Sequence, residues 1–364
     1  MNRLNLLMRR LARPDVPFYA LPWLMLLLTL GTIAQRDMGL YAAQKTFFSS
    51  WILWAGLVPL PGGYTTIAVI GAALTCKFLL DSKWSLRNAG IILSHFGALL
   101  LLAGGLLTAF TAREGTVMIP EAGQQSFMED YYAKHLTVTD AEGAVIADIP
   151  HTRLKQGLEI PAGPLTLNVA AYCHNCTPEP QTEAMRGTLP YIGPAAQIKM
   201  NPAPRDINEE ANHSAVTIAI RGSDTGQDGI YLMTDIMPHQ PQIGDYTVRF
   251  GRVQTPLPFT VTLDDIKREL YPGTDMARGY ESHVHVQDGE ISWPAIIRMN
   301  EPLRYKGYTL YQSNYVILAD DTEATILSAV KNTGWLFPYI ASLIIAVGMI
   351  LHLWLSLRGR RKSP

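Results

Sequence analysis

The chain has 364 residues, 48% of them apolar, and a formal net charge of −1 from 30 basic and 31 acidic side chains. This near-neutral total hides an uneven distribution. Residues 111–333 hold 17 basic and 28 acidic side chains, so the largest segment has the wrong sign for binding nucleic acid, whose phosphates attract a basic surface.

Basic residues gather at the two ends of the chain and in one short link. The segment before residue 17, the link 77–87 and the tail after residue 357 together hold 11 basic and 2 acidic side chains. Apolar runs of about 20 residues, the length that crosses a bilayer as a helix, lie near 17–35, 63–80, 89–110 and 335–357. Since segments rich in Lys and Arg stay in the cytoplasm, we expect both termini there and residues 111–333 on the outside.

An aromatic segment separates the first two apolar runs. Its apolar side chains from Phe47 to Val58, including Trp51 and Trp54, fall largely on one face of a helix. Tryptophan-rich amphipathic helices favour the headgroup boundary of a membrane, and two prolines follow at the expected helix end. We therefore expect an interfacial helix near 44–58 on the outer surface, with a buried connector as the alternative.

The third apolar run contains one ionisable side chain, His95. An ionisable group inside a membrane is costly, so it is a functional candidate. His95 follows Arg87 by eight residues, which places the imidazole about 12 Å into the membrane at 1.5 Å per helical residue. The alternative is a structural histidine that bonds to a neighbouring helix, because buried polar groups normally find a partner.

Three glycines recur in the same run at intervals of seven. Gly90, Gly97 and Gly104 form one smooth strip along a helix, and small residues let helices approach closely in lipid. His95 lies five positions after Gly90, so at about 100° per residue it points away from the strip. One face of this helix is therefore predicted to pack on another helix, while the opposite face presents an imidazole among leucines.

Residues 111–333 have the character of short strands divided by turns. Segments such as LTLNVAAY, AVTIAIRG and FTVTL are β-branched or alternate between apolar and polar residues. The predicted fold class is an integral membrane protein with four transmembrane α-helices, three N-terminal and one C-terminal, and a large mainly-β extracytoplasmic domain. The predicted division is a membrane region at 1–110, a β-rich domain at 111–333, and a helix with a basic tail at 334–364.

Two cysteines of the outer domain have CxxC spacing. Cys173 and Cys176 lie in a compartment that favours a disulfide or a thiol relay. Thr177 stands where a c-type haem attachment site requires histidine. We expect a local disulfide or two inert thiols, with the relay as the alternative.

Two histidines of the outer domain alternate along a predicted strand. His283 and His285 would face the same way, and with Glu281 they suggest a metal site. Zinc usually requires three or four ligands, so a solvated strand face is the preferred interpretation. We expect Gln312 to belong to a structural hydrogen-bond network.

Three long stretches resemble one known family. They are GTIAQRDMGLYAAQKTFFSSWILWAGLVPLPGGY, SHFGALLLLAGGLLTAFTAREGTVMI and the pair PLPFTVTLDDIKRELYPG and MNEPLRYKGYTLYQSNY. Together with the order of three spans, outer domain and one span, they resemble the ResB (CcsB) family of system II cytochrome c biogenesis proteins, found in the bacterial cytoplasmic membrane.

The resemblance implies a function and partners. A ResB protein works with a second membrane protein, ResC (CcsA), and the pair carries haem b across the membrane and attaches it to the CxxCH cysteines of apocytochrome c. The family's haem ligand on the third span corresponds to His95, and neutral imidazole is a normal axial ligand of haem iron. The tryptophan-rich haem motif of the ResC partner is absent here, so we expect one subunit of a haem lyase complex, with no turnover assigned to this chain alone. The alternatives are a four-helix b-type electron-transfer protein and a haem-free scaffold.

A second intramembrane histidine lies in the last apolar run. His352 precedes Arg358 by six residues, which puts it about 9 Å from the cytoplasmic end of the span. At that depth it could share one haem with His95. We favour a histidine that contacts headgroups, the helix C-terminus or a neighbouring side chain, because the resemblance assigns the second membrane ligand to the partner.

The charge distribution makes a testable prediction about topology. A reporter that is active only in the periplasm, fused after Lys331 or after Pro364, should give signal at Lys331 alone, because residues 111–333 are acidic and the tail is basic. Signal at Pro364 without signal at Lys331 would overturn this topology.

Overall fold

The computed structural model describes residues 3–80, 82–181, 189–236, 240–274, 277–318 and 320–360. The chain divides into two compact units, Met1–Arg113 with Lys331–Pro364, and Glu114–Val330. The first, the helical unit, consists mainly of helices, and the second, called the outer unit after its predicted location, consists of β-sheets.

The helical unit contains four helices long and apolar enough to cross a membrane among the residues described. The sequence-based prediction of four such helices and a large mainly-β domain is therefore confirmed. The helices of this unit are α1 (Arg3–Leu11), α2 (Asp15–Ala43), α3 (Gly63–Leu80), α4 (Ala89–Thr111) and α5 (Phe337–Arg360). Gly39 interrupts α2 with a φ of 79°, which kinks the helix.

The prediction of a helix near 44–58 is wrong. A helical turn of π type covers only Gln44–Phe48, and the chain then forms a hairpin from strands β1 (Ile52–Ala55) and β2 (Val58–Pro61). The prediction relied on an apolar helical face and did not weigh two local signals. Gly56 takes a φ of 65° in the turn, and β2 contains two prolines, which remove the N–H donors that a helix needs.

Helices α4 and α5 pack with their backbones in close contact. A Cβ atom added to Gly90 would lie 2.3 Å from the backbone nitrogen of His352, and one added to Gly104 would lie 2.2 Å from the Cβ of Phe337. At Gly97 the nearest backbone atom is the carbonyl oxygen of Ala341, at 3.0 Å. The prediction that the glycine strip packs on a helix is confirmed, and the partner is the last helix of the chain.

The contact between α4 and α5 is reciprocal. A Cβ atom added to Gly348 on α5 would lie 2.6 Å from the Oγ of Ser94 on α4. Near the other end of the pair, Thr108 donates its hydroxyl to the Oδ1 of Asn332 at 3.1 Å. Thr111 and Thr333 share a hydrogen bond of 2.6 Å. Glycine packing thus joins the two helices, and polar bonds join the C-terminal end of α4 to the residues just before α5.

The outer unit is built from strands β3 to β19. Burial in β11 illustrates why these sequences form strands, since Val216, Ile218 and Ile220 are buried while Thr217 and Ala219 between them are partly exposed. The strands are β3 (Arg113–Pro120), β4 (Gln124–Thr139), β5 (Val145–Pro150), β6 (Glu159–Ala162), β7 (Leu165–Cys173), β8 (Cys176–Pro180), β9 (Tyr191–Ile192), β10 (Ile198–Pro202), β11 (Ala215–Arg221), β12 (Gly229–Thr234), β13 (Gln242–Ile243), β14 (Tyr246–Leu270), β15 (Ala277–Asp288), β16 (Ile291–Arg298), β17 (Leu303–Tyr305), β18 (Tyr308–Ile317) and β19 (Glu323–Lys331).

Two large sheets and two apolar cores organise this unit. The larger sheet has the order β16-β15-β14-β4-β3-β19-β18-β17, with β13 beside β14 and β5 beside β4, and the smaller has the order β6-β7-β11-β12-β9. One core lies between the smaller sheet and strands β4, β5 and β14, around Leu136, Ile218 and Phe250. The second lies among β14, β15, β16, β18 and β19, around Leu263 and Ile297. The 25-residue strand β14 contributes to both cores.

The glycine packing predicts which helix positions tolerate a methyl group. Gly90→Ala should destabilise the helical unit by roughly 1–3 kcal/mol, as overpacking usually does, because the atoms in the way belong to the backbone of α5. Gly105→Ala is the matched control, since a Cβ there meets no atom within 4 Å. Thermal unfolding in detergent, followed by a dye that reacts with the buried thiol of Cys76, should show a lower transition for Gly90→Ala alone. Equal transitions for the two variants would contradict the packing.

Candidate functional site

His95 lies in the first third of α4 and forms a hydrogen bond with its own helix. Its Nδ1 atom is 2.8 Å from the carbonyl oxygen of Ile91, one turn earlier. A carbonyl oxygen can only accept, so Nδ1 is the protonated nitrogen. The lone pair of the imidazole is therefore on Nε2, the atom at the far end of the ring.

The surroundings of His95 leave that nitrogen available. The side chain is partly buried, and its Nε2 has no hydrogen-bond partner among the residues that the structure describes. The face of α4 that packs on α5 is the opposite one, because it carries Gly90 and Gly97. The structural alternative, a hydrogen bond to a neighbouring helix, is not what this arrangement provides.

His352 lies on α5 at the level of Gly90 in α4. Its backbone approaches Gly90, while its side chain is exposed. His95 is five residues further along α4, which is about 7.5 Å at the helical rise, and lies on the face of α4 turned away from α5. A haem ligand role for His352 stays a prediction.

An apolar groove lies at the start of α4, and His95 is not one of its lining residues. Its volume is about 690 Å³, and its wall is formed by α3, the link after it and the first turns of α4. The ring of Phe78 lies 5.3 Å from that of Trp84 and 6.4 Å from that of Phe96, the residue after His95. Sequence analysis missed this groove, because nothing local indicates that residues 18 positions apart meet. The only sequence feature that indicates the groove is the set of aromatic residues beside the basic link 77–87.

The cysteines of the CxxC pair are bonded to each other and buried. The disulfide joins Cys173 at the end of β7 to Cys176 at the start of β8. It lies in a small apolar cluster with Ala195, Ala215 and Leu232. Thiol exchange requires an accessible sulfur, so this position favours the local disulfide over the relay.

The two histidines of β15 are each paired with a carboxylate. The Nε2 of His283 is 2.9 Å from Glu281, and the Nδ1 of His285 is 2.6 Å from Asp264. Hydrogen bonds from Arg298 and His283 hold the pKa of Glu281 below its ordinary value. The described part of the chain contains no group of three or more His, Cys, Asp or Glu side chains that could hold a metal ion. Hydrogen bonds to carboxylates occupy both histidines on this strand face.

Gln312 is buried in a polar network, as predicted. Its Oε1 accepts a hydrogen bond of 2.7 Å from Ser282, and its Nε2 donates to Thr325 at 2.9 Å. These side chains come from three strands, β15, β18 and β19. The network fixes their register without offering a group to a substrate.

A buried ion pair in the outer unit was not predicted. The Nζ of Lys134 on β4 lies 2.6 Å from the Oδ2 of Asp235, with both side chains 5% exposed or less. The same Nζ donates to the carbonyl of Asn212 at 2.7 Å and to Ser214 at 3.0 Å. Such a pair is tolerable inside a protein because its remaining hydrogen-bonding groups are mostly satisfied. It ties β4 to the ends of β11 and β12.

Two half-buried histidines lie next to this ion pair. The rings of His151 and His174 are 5.8 Å apart, and burial is the main cause that lowers the pKa of each below the ordinary value. Lys134 adds to the effect, while Glu209, whose Oε1 is 2.8 Å from the Nε2 of His174, opposes it. The cluster is therefore arranged around neutral imidazoles.

Comparison with known proteins identifies the C-terminal part of the outer unit and the start of α5. Residues 211–339 match the model of the ResB-like family. A stretch of 106 residues is 29% identical to Protein NrfI of Wolinella succinogenes and spans 29% of this chain but only 11% of that protein. The resemblance to the ResB family is thereby confirmed, and residues 211–339 of this chain carry the pattern of the ResB-like family.

Proposed function

We propose that this chain is a membrane subunit of cytochrome c biogenesis that handles haem. With a partner of the ResC (CcsA) type, it carries haem across the bacterial cytoplasmic membrane and helps attach it to the CxxCH thiols of apocytochrome c. The match of residues 211–339 to the ResB-like family supports the role in biogenesis. The arrangement of His95 supports the role in holding haem.

The observation that carries the proposal is the fixed tautomer of His95. Because Nδ1 donates to the carbonyl of Ile91, the Nε2 lone pair is available to haem iron, which takes neutral imidazole as an axial ligand. A hydrogen bond from the other ring nitrogen also fixes the orientation of a metal-ligating histidine and raises its basicity. A flat apolar macrocycle suits the leucine-rich face around this imidazole.

The two faces of α4 suit two different tasks. The glycine face is occupied by α5, and α3 contacts α4 near Leu102 and Phe96. We place haem and a second membrane protein at His95, on the side of α4 turned away from α5. The helical unit has one other histidine, His352 on α5, while His95 faces away from α5. We therefore assign the second axial ligand to the partner. This division of ligands makes the chain a co-catalytic subunit and not a complete synthase.

Haem content separates this proposal from its competitors. A four-helix b-type electron-transfer protein would bind haem when purified alone, and a haem-free scaffold would bind none even with its partner. The reduced absorption spectrum of the chain alone and of the copurified complex distinguishes the three functions. We expect a haem spectrum that requires the partner.

Replacement of His95 tests the haem role directly. His95→Ala should reduce the haem of the copurified complex to a small fraction while the complex stays assembled, because alanine is a good helix former and adds no polar group to the membrane. Free imidazole should restore part of the haem by filling the vacated coordination position. His352→Ala is the matched control, with a milder effect expected, and both measurements use the reduced spectrum.

Two results would contradict this assignment. A His95→Ala complex with full haem and an unchanged spectrum would make His95 structural. Loss of haem from the chain purified alone in both histidine variants would instead indicate that His95 and His352 bind one haem within this chain.

The buried disulfide makes a separate prediction. Replacing Cys173 and Cys176 with serine should leave the amount of holocytochrome c near wild type, because the sulfurs are buried and the disulfide closes a very short loop. Such loops stabilise by less than the ~3 kcal/mol of a 15-residue loop. Holocytochrome c measured by haem staining, with circular dichroism as the folding control, tests this. A loss that added reductant restores would support the relay.

A further inference from the structure

The hairpin of β1 and β2 exposes apolar side chains that nothing in the described structure covers. All residues from Trp51 to Pro61 are apolar or glycine, and no charged residue occurs from Thr46 to Cys76. Leu57 at the turn is 95% exposed and Trp54 is 63% exposed. Contiguous apolar surface of this kind marks an interaction site.

The hairpin is a fixed part of the helical unit. The indole nitrogen of Trp23 on α2 donates to the carbonyl of Pro61 at 2.9 Å. The backbone nitrogen of Gly62 and the hydroxyl of Thr65 on α3 both donate to the carbonyl of Trp51, at 3.1 and 2.5 Å. Two candidate membrane spans, α2 and α3, therefore hold the hairpin at the N-terminal end of α3.

The backbone of the hairpin indicates what surrounds it. Ile52 pairs with Pro61, Leu53 with Leu60, Trp54 with Pro59, and Ala55 with Val58. In an antiparallel pair, hydrogen-bonded and non-hydrogen-bonded residue pairs alternate. Gly62 donates a backbone hydrogen bond to Trp51, so the alternate pairs 53–60 and 55–58 are also hydrogen-bonded. The backbone groups of the pairs 52–61 and 54–59 therefore point outward, away from the partner strand.

Both outward positions of β2 are proline. Pro59 and Pro61 have no N–H group, so the outer edge of β2 presents no donor. A partner strand could not pair along this edge, because its carbonyl groups would find no N–H donors there. An apolar medium, by contrast, penalises each unpaired N–H group, and the prolines remove that cost along the edge of β2.

We propose that the β1–β2 hairpin is embedded in lipid at the boundary of the membrane. Its apolar surface continues the exposed apolar surface of α2 and α3, where Met25 and Ile67 are also exposed. Trp51 and Trp54 are of the residue type that is enriched at membrane–water interfaces. This inference concerns how the chain sits in the bilayer and does not rest on haem binding.

An environment-sensitive probe at the turn tests the proposal. In the full-length Cys76→Ala chain, with the disulfide intact, Leu57→Cys is labelled with a nitrobenzofurazan dye and reconstituted alone into phosphatidylcholine–phosphatidylglycerol nanodiscs. Val58→Cys provides a second site in case the first variant folds poorly. Glu142→Cys is the matched control, because it lies in an exposed turn of the outer unit.

The expected result is a blue-shifted emission at positions 57 and 58 that lipid-borne nitroxides quench and aqueous iodide does not. The control should show the opposite pattern. Emission at 57 and 58 that resembles the control would place the hairpin in water and overturn the proposal. Blue-shifted emission that no lipid nitroxide quenches would show that protein covers the hairpin, which overturns it equally.

Discussion

The backbone contact between α4 and α5 is the constraint on which the helical unit depends. Helix association in lipid gains little from the hydrophobic effect, so close packing and interhelical hydrogen bonds must supply the attraction. On α4 the approach is allowed by Gly90, Gly97 and Gly104, and on α5 by the small residues Ala341 and Gly348. The chain leaves this unit after α4 and returns just before α5, so the same contact brings together the two ends of a segment of more than 200 residues.

This contact also determines what the rest of α4 can do. α4 packs on α5 through its glycine face and on α3 near Phe96 and Leu102, and His95 lies on the side turned away from α5. Its imidazole is oriented by the carbonyl of Ile91 on the same helix, and no described residue of another helix forms a hydrogen bond with it. Local geometry alone thus orients the ring, and it leaves Nε2 as the atom that the proposed haem role requires.

The outer unit uses buried polar groups where the helical unit uses glycines. The Lys134–Asp235 pair connects the two large sheets, and the network of Ser282, Gln312 and Thr325 connects three strands of the larger sheet. A slip of one residue in any of these strands would leave a buried polar group without its partner, at a cost of about 1–3 kcal/mol. These groups therefore specify register more than they add stability.

The sequence by itself determined the features that depend on short-range periodicity. Apolar runs predicted α2 to α5, alternation predicted strands such as β11, and the spacing of seven predicted the packed face of α4. The position of His95 relative to that face followed from the helical rotation alone. Each of these properties is set within one element, so a local pattern is sufficient to read it.

Only the tertiary structure decided which elements meet. It identified α5 as the partner of the glycine strip, paired Lys134 with Asp235 about 100 residues away, and assembled the groove of Phe78, Trp84 and Phe96. It also replaced the expected helix near 44–58 with a hairpin, because Gly56 and the prolines of β2 outweigh an apolar face that fits either element. Long-range pairing and such local competition depend on the packing of the whole unit, and no single stretch of sequence contains them.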